Sequence, residues 1–221
     1  MFGEVINLGK TDVLYFEGLE DILIAMMSPS AQDGVSKAPE YGEIVRLPIA
    51  TKLAVKGNGS TLEKWASSKM FRRVSRETKH ELGLDHVGIP VDVMDELKGL
   101  IAQSGVTFSK NIAREYPFFA FGFIGKIEGG GRKAVWYPKT QLSNVIDEEY
   151  ATEEDETKID DVTANLVATA LNYNNVMYSS FDSNRTTGSI ELFEKFIAQP
   201  IYSEQQWQTI AAATPPVGGG E

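Results

Sequence analysis

The densest apolar stretch of the chain runs from Tyr116 to Ser143, YPFFAFGFIGKIEGGGRKAVWYPKTQLS. Side chains alternate across a strand, so Phe119, Phe121 and Phe123 share one face while Phe118, Ala120 and Ile124 share the other. Both sets are apolar, and both faces of this strand are expected to be covered. Gly129, Gly130 and Gly131 accept positive φ without steric cost, which lets Arg132–Tyr137 return antiparallel as the second strand of a hairpin. On the return, Val135 and Tyr137 fall on one face with Ala134 and Trp136 opposite.

The clearest alternation lies between Phe71 and Val87. Val74, Thr78, His80, Leu82 and Leu84 share one face, and Ser75, Glu77, Lys79, Glu81 and Asp85 the other, the pattern of a half-buried antiparallel strand. His80 is expected to point inward. After Pro90 the period changes: Val93, Met94, Leu97, Leu100 and Ile101 recur at helical spacing, and Gly105 closes the segment. The apolar stripe of this helix predicts packing on a sheet.

Elsewhere the signals are shorter. Val13 to Phe16 reads as a strand, as does Ile49 to Val55, ended by Gly57-Asn58-Gly59. Residues 28–43, SPSAQDGVSKAPEYGE, are rich in turn formers and predict a long loop, a length that often serves binding. Residues 147–161, DEEYATEEDETKIDD, hold nine carboxylates and one lysine and read as a solvated acidic connector. Val162–Tyr173 and Val176–Phe181 predict a hairpin around Asn172–Asn175. Glu191–Ile197 reads as a short helix or a strand, Glu204–Ile210 as a helix, and residues 214–221 as a flexible tail.

The whole chain, 1–221, is expected to form one mainly β domain with one flanking α-helix, two packed antiparallel sheets in a sandwich or barrel, and extended arms. Composition narrows its chemistry. A formal charge of −10 opposes tight binding to phosphate backbones, so a nucleic-acid reader is not expected. The same sign suits a surface along which DNA slides without sticking, and it also serves plain solubility. No apolar run approaches the roughly 20 residues of a membrane helix; Ile22–Met27 is the best candidate and far too short. MFGEVINLGK lacks signal-peptide character, and synthesis in the cytoplasm is expected.

With no cysteine, thiolate metal sites and nucleophiles are absent. The two histidines, His80 and His86, fall on one face of a regular strand about 20 Å apart, too far to share one metal ion. The acidic run lacks the glycine and ligand spacing of an EF-hand. There is no G-x-S-x-G elbow, no H-E-x-x-H and no phosphate-binding glycine loop. No enzymatic activity and no cofactor are expected.

The string FFAFGFIGKIEGGGRKAVWYPKTQLS, the passage ELGLDHVGIPVDVMDEL and the acidic connector after Glu148 occur in an order that resembles the major tail proteins, or tail tube proteins, of long-tailed, non-contractile bacteriophages. The likeness runs from Lys79 to Trp207; the region before Phe71 matches only loosely, and no immunoglobulin-like domain follows the core within this sequence. The resemblance implies a structural virion protein whose subunits join edge to edge into rings, usually sixfold. Stacked rings would form the tail tube through which the genome is ejected. Its partners would be other copies of itself, the tape-measure, tail-tip and tail-terminator proteins, and passing double-stranded DNA bound without sequence preference. Its location would be the virion tail.

Within that picture Leu97, Phe119, Phe121, Phe123, Val135 and Trp136 are expected in the core. The 28–43 loop, with Ser28, Asp33, Lys37, Glu40 and Glu43, is the candidate for ring stacking, and Glu77, Glu81 and Asp85 are candidates for the channel wall. Ring closure would give each sheet edge a partner and remove a nucleus for disordered aggregation. A different class, a carbohydrate-binding or adhesion β-sandwich, would instead use Trp65, Tyr173, Tyr178 and Trp207 as an exposed aromatic platform.

Overall fold

The computed structural model describes residues 15–29, 33–66, 69–110, 112, 115–143, 161–186 and 189–213. Val13 and Leu14 of the first expected strand, residues 147–160 of the acidic connector and the tail 214–221 lie outside the described residues. Eight strands among the described residues join in one antiparallel sheet: β1 (Phe16–Met27), β2 (Tyr41–Leu47), β3 (Ala50–Ala66), β4 (Lys69–His86), β5 (Phe119–Ile127), β6 (Gly131–Leu142), β7 (Val162–Thr169) and β8 (Ser179–Asp182). Their order is β2-β1-β5-β6-β7-β4-β3, with β8 added to β6. The fold is mainly β with flanking helices.

The two ends of this order, β2 and β3, are separated in the chain by Pro48 and Ile49 alone. The sheet must therefore curl until its first and last strands meet at a corner, where the Val87 amide donates to the Ile49 carbonyl at 3.1 Å. The two packed layers expected from sequence are thus wings of one continuous sheet. Between the wings lie Ile22 and Ile24 of β1, Phe119 and Phe121 of β5, Val135 and Tyr137 of β6, and Leu82 and Leu84 of β4. Each such side chain removed from water contributes roughly 1.5–3 kcal/mol.

Helix α1 (Val91–Lys98) packs Leu97 into this core. Pro90 supplies a fixed φ at its start, and Asp92 and Lys98 sit where the helix dipole favours each sign. Gly99, at φ 62°, ends it with the Gly99 and Leu100 amides bonded back to Glu96 and Asp95, a Schellman-type cap. The helix therefore stops six residues before Gly105, and Ile101 is 82% exposed instead of extending the packed stripe.

The opposite face of the β1-β5-β6 wing carries Leu23, Ala25, Ala120, Ile124, Ala134 and Trp136. Two further helices cover it, so the single helix expected becomes three among the described residues: α2 (Ser189–Ile197) and α3 (Glu204–Ala212) join α1. The Ser203 hydroxyl caps α3 by accepting from the Gln206 amide at 3.1 Å. Trp136 donates its indole N–H to the Phe196 carbonyl at 2.9 Å, tying sheet to helix. Across the hairpin from it stands Gly122, where a Cβ would lie 2.7 Å from the indole ring, so only glycine leaves room. Of the hairpin glycines, Gly129 and Gly130 have positive φ and Gly131 is extended.

Two further expectations change. Gly57-Asn58-Gly59 does not end β3, which runs on to Ala66; the glycines sit at a β-bulge where the register to β4 shifts between Asn58 and Gly59. β7 and β8 do not pair as a hairpin, because each pairs with a different half of β6.

Candidate assembly surface

β6 forks the sheet. Its end, Thr140 to Leu142, pairs with β7, whereas Lys133 to Trp136 pair with β8. β7 in turn covers only Lys79 to His86 of β4. Beyond that point β3 and β4 pair with each other alone, from Gly57↔His80 out to Ala66↔Lys69. Ten residues on each strand thus leave the body as a two-stranded arm, roughly 30 Å long at the strand rise per residue. The fork is filled by three rings: Tyr137 of β6, His80 at the root of the arm and Tyr178 just before β8, with centroids 5.7–5.8 Å apart. The Tyr137 hydroxyl lies 3.3 Å from His80 Nδ1, and burial, aided by Tyr178 and Glu77, pushes Tyr137 up to about 12.

The arm holds itself by cross-strand polar contacts. Thr61 and Ser75 hydroxyls stand 3.3 Å apart, Arg73 meets Glu63 at 3.5 Å, and Thr78 donates to the Asn58 carbonyl at 3.0 Å. A lone two-stranded ribbon is marginal in water. Among the described residues no strand flanks the outer edges of β2 or β3, so both sheet ends offer unpaired backbone groups. At the other end of β5, residues 100–118 form a long connection with Ile101, Val106, Phe108 and Ile112 exposed; a tight turn at Ser104-Gly105, both at positive φ, closes the Gln103–Val106 bridge.

The expected stacking loop is shorter than its sequence implies, because β2 starts at Tyr41 and takes Glu43 into a strand, where it is exposed. Ser28 closes the loop base by donating its amide to the Glu40 carbonyl at 2.8 Å. Asp33 points inward, its side chain 2% exposed. It accepts from Lys139 Nζ at 2.7 Å and from the amides of Asn172 and Tyr173 at 2.6 and 2.9 Å, while the Phe118 ring lies 4.9 Å from the same ammonium. Asp33 is thereby spent within the chain. Exposed Val35 and Lys37 remain at the loop tip, with Glu40 exposed at its base.

The candidate channel residues line up on β4, but each has a cation beside it. Lys79 hydrogen-bonds Glu81 at 2.7 Å and holds its carboxyl below the usual range. Lys52 stands 3.6 Å from Asp85, which also accepts from Thr163, and exposed Glu77 lies 3.5 Å from His80 Nε2. This face carries alternating charge, not an unbroken acidic wall. Of the aromatic platform, Trp207 packs its ring against Phe181 and Phe196, with centroids 6.2 and 5.7 Å away. Tyr173 and Tyr178 are partly exposed but belong to separate ring groups, Tyr173 beside Tyr202 and Tyr178 in the fork. Among the described residues no group of His, Asp and Glu is placed to hold a metal ion. No described helix is long and apolar enough to cross a membrane.

His86 sits beside Ala50 and Val162 at the corner, 3% exposed, and neither ring nitrogen finds a hydrogen-bond partner among the described residues. Burial lowers its proton affinity below the usual range, with Asp161 and Asp85 pulling the other way. The unfolded chain takes up a proton near pH 6.5 that the folded chain resists. The contribution to stability is therefore complete above that pH and is lost as the pH falls through the lower folded value. His86→Leu should flatten this acid-side loss, read as a smaller difference in urea midpoint between about pH 7.5 and about pH 5.5. An unchanged difference would assign the loss to other groups.

No protein-family model matches the chain, and no curated protein matches it.

Proposed function

We propose that this chain is a structural subunit that assembles with copies of itself, edge to edge, into rings that stack as a phage tail tube, a conduit for genome ejection. The observation that carries this reading is the arm. A ribbon of ten residues on each strand, with no third strand on either side, gains most when a neighbouring subunit covers it. The two unpaired outer edges support the same reading: joining one subunit's β2 to the next subunit's β3 would continue the sheet around a ring and leave no edge open once the ring closes.

In such a ring the β3-β4-β7 face is the proposed channel wall. Lys52 and Lys79 temper the charge of Asp85 and Glu81 there, so DNA would pass over a surface of mixed sign. The exposed tip of loop 28–40 and the apolar 100–118 connection are the proposed contacts between rings. Tape-measure, tail-tip and terminator proteins would meet the open ends of the stack. The chemistry of this reading is self-association, with no catalytic step.

The test is to shorten the arm without disturbing the body. Replacing residues 59–78 by Asn-Gly joins β3 to β4 directly at the Asn58–Lys79 pair, with a turn suited to a two-residue hairpin. The shortened chain should melt as the parent does and remain a monomer in sedimentation at concentrations where the parent associates. Undiminished association of the shortened chain would remove the arm from the account.

A further inference from the structure

The arm and the acidic connector carry opposite charge and leave the body at opposite ends. Residues 57–78 hold five cations, Lys64, Lys69, Arg72, Arg73 and Arg76, against Glu63 and Glu77, in a chain whose formal charge is −10. Residues 147–161 hold nine carboxylates and one lysine. The connector's flanks are fixed by the sheet. The Ser143 amide donates to the Asn165 carbonyl, which sets that end opposite Gly83 of β4, and Asp161 precedes Val162, which pairs with His86. The arm extends from β4 in the other direction, past Lys79.

Reach then decides whose connector can meet whose arm. Seventeen residues separate Ser143 from Asp161. Fully stretched at about 3.5 Å per residue and tethered at both ends, they extend along β4 to roughly the level of Ser75. Lys64, Lys69, Arg72 and Arg73 lie farther out on the arm. A connector cannot neutralise the outer arm of its own chain, whereas a second copy placed head to tail brings its connector to it.

We propose that the basic outer arm docks onto the acidic 144–160 segment of a second copy, so that each contact joins one subunit's arm to the next subunit's connector. This rests on the self-assembly reading and adds its polarity and its driving charge. Heterologous contacts of this kind propagate in one direction. They also weaken as salt screens the charges, whose range is about 8 Å at physiological ionic strength. Such contacts set partner choice and association rate as well as strength.

The experiment uses the full chain and a labelled synthetic peptide of residues 144–160, read by fluorescence anisotropy, with a double-stranded DNA oligonucleotide as the competing probe. Peptide should bind the parent, weaken about tenfold or more between low and near-molar salt, and lose binding to a similar degree in the R72E/R73E/R76E variant. The neutral R72Q/R73Q/R76Q variant should fall between, and both variants should melt as the parent does. Mixing R72E/R73E/R76E with an E153K/E154K/E156K variant should restore association that neither shows alone. Peptide binding unaffected by arm charge, or no binding at all, overturns the proposal, as does tighter arm-dependent binding of DNA. If both charge variants still assemble like the parent, the docking fails and the tube reading stands; if the parent never assembles, the tube reading fails while the peptide result still judges the docking.

Discussion

Trp136→Ala is expected to destabilise the chain by about 3–5 kcal/mol, the range for truncating a large buried aromatic. Trp136 is fully buried on the face of the sheet covered by α2 and α3, and its indole N–H is a direct bond between the layers. The substitution opens a cavity over Gly122, whose missing side chain cannot help refill it, and leaves the Phe196 carbonyl without its donor. Set against the 5–15 kcal/mol typical of a whole domain, this is a large share of the fold. Trp136→Phe keeps most of the ring volume and should cost clearly less. Urea unfolding monitored by circular dichroism measures both, and a loss below about 1 kcal/mol for the alanine variant would mean that α2 and α3 are not packed on this face.

Asp33→Ala should cost a comparable amount, about 3–5 kcal/mol, for a different reason: removing one partner leaves the other as an uncompensated buried charge. The Lys139 side chain is 10% exposed, and Asp33 gives it its only carboxylate partner among the described residues. The same carboxylate holds the amides of Asn172 and Tyr173, so its loss also frees the turn that follows β7. The double variant D33A/K139M removes both charges and should recover much of the stability, which separates the ion pair from the loop's other contacts. If D33A alone unfolds at the parental midpoint, loop 28–40 is held by something else, and its tip is not presented in a fixed place for a neighbour.

The central hairpin was legible because its two faces are both apolar and its register is simple. The sets that alternation separates, Phe119 and Phe121 with Val135 and Tyr137 against Ala120 and Ile124 with Ala134 and Trp136, occupy the two cores on opposite sides of the sheet. Burial on both faces hid β1 for the same reason. Ile22 to Ala25 is a continuous apolar run with no period to mark a strand, and it is short enough to pass for something else. In α1, spacing could not show that Gly99 would turn left-handed and cut the stripe before Leu100 and Ile101.

The assembly features were the hardest to read. Glycine usually punctuates, so Gly57 and Gly59 looked like a stop; the bulge that absorbs them depends on the facing strand, where a Cβ on Gly59 would press to 3.0 Å from the Arg76 carbonyl. Asp33 sat in a stretch of small polar residues and looked solvated. Its partner Lys139 is 106 residues away, and nothing local to either residue signals the pair. The mismatch of β7 and β8 came from the fork in β6, a property of three strands together that no single stretch carries.

Negative-stain electron microscopy of the purified chain across a concentration series, with the arm-shortened chain beside it, tests the account most directly. The parent is expected to form rings or hollow tubes of uniform width as concentration rises, and the shortened chain single particles only. Featureless monomers of the parent at every concentration, or tubes formed equally well without residues 59–78, would contradict an assembly built on the arm.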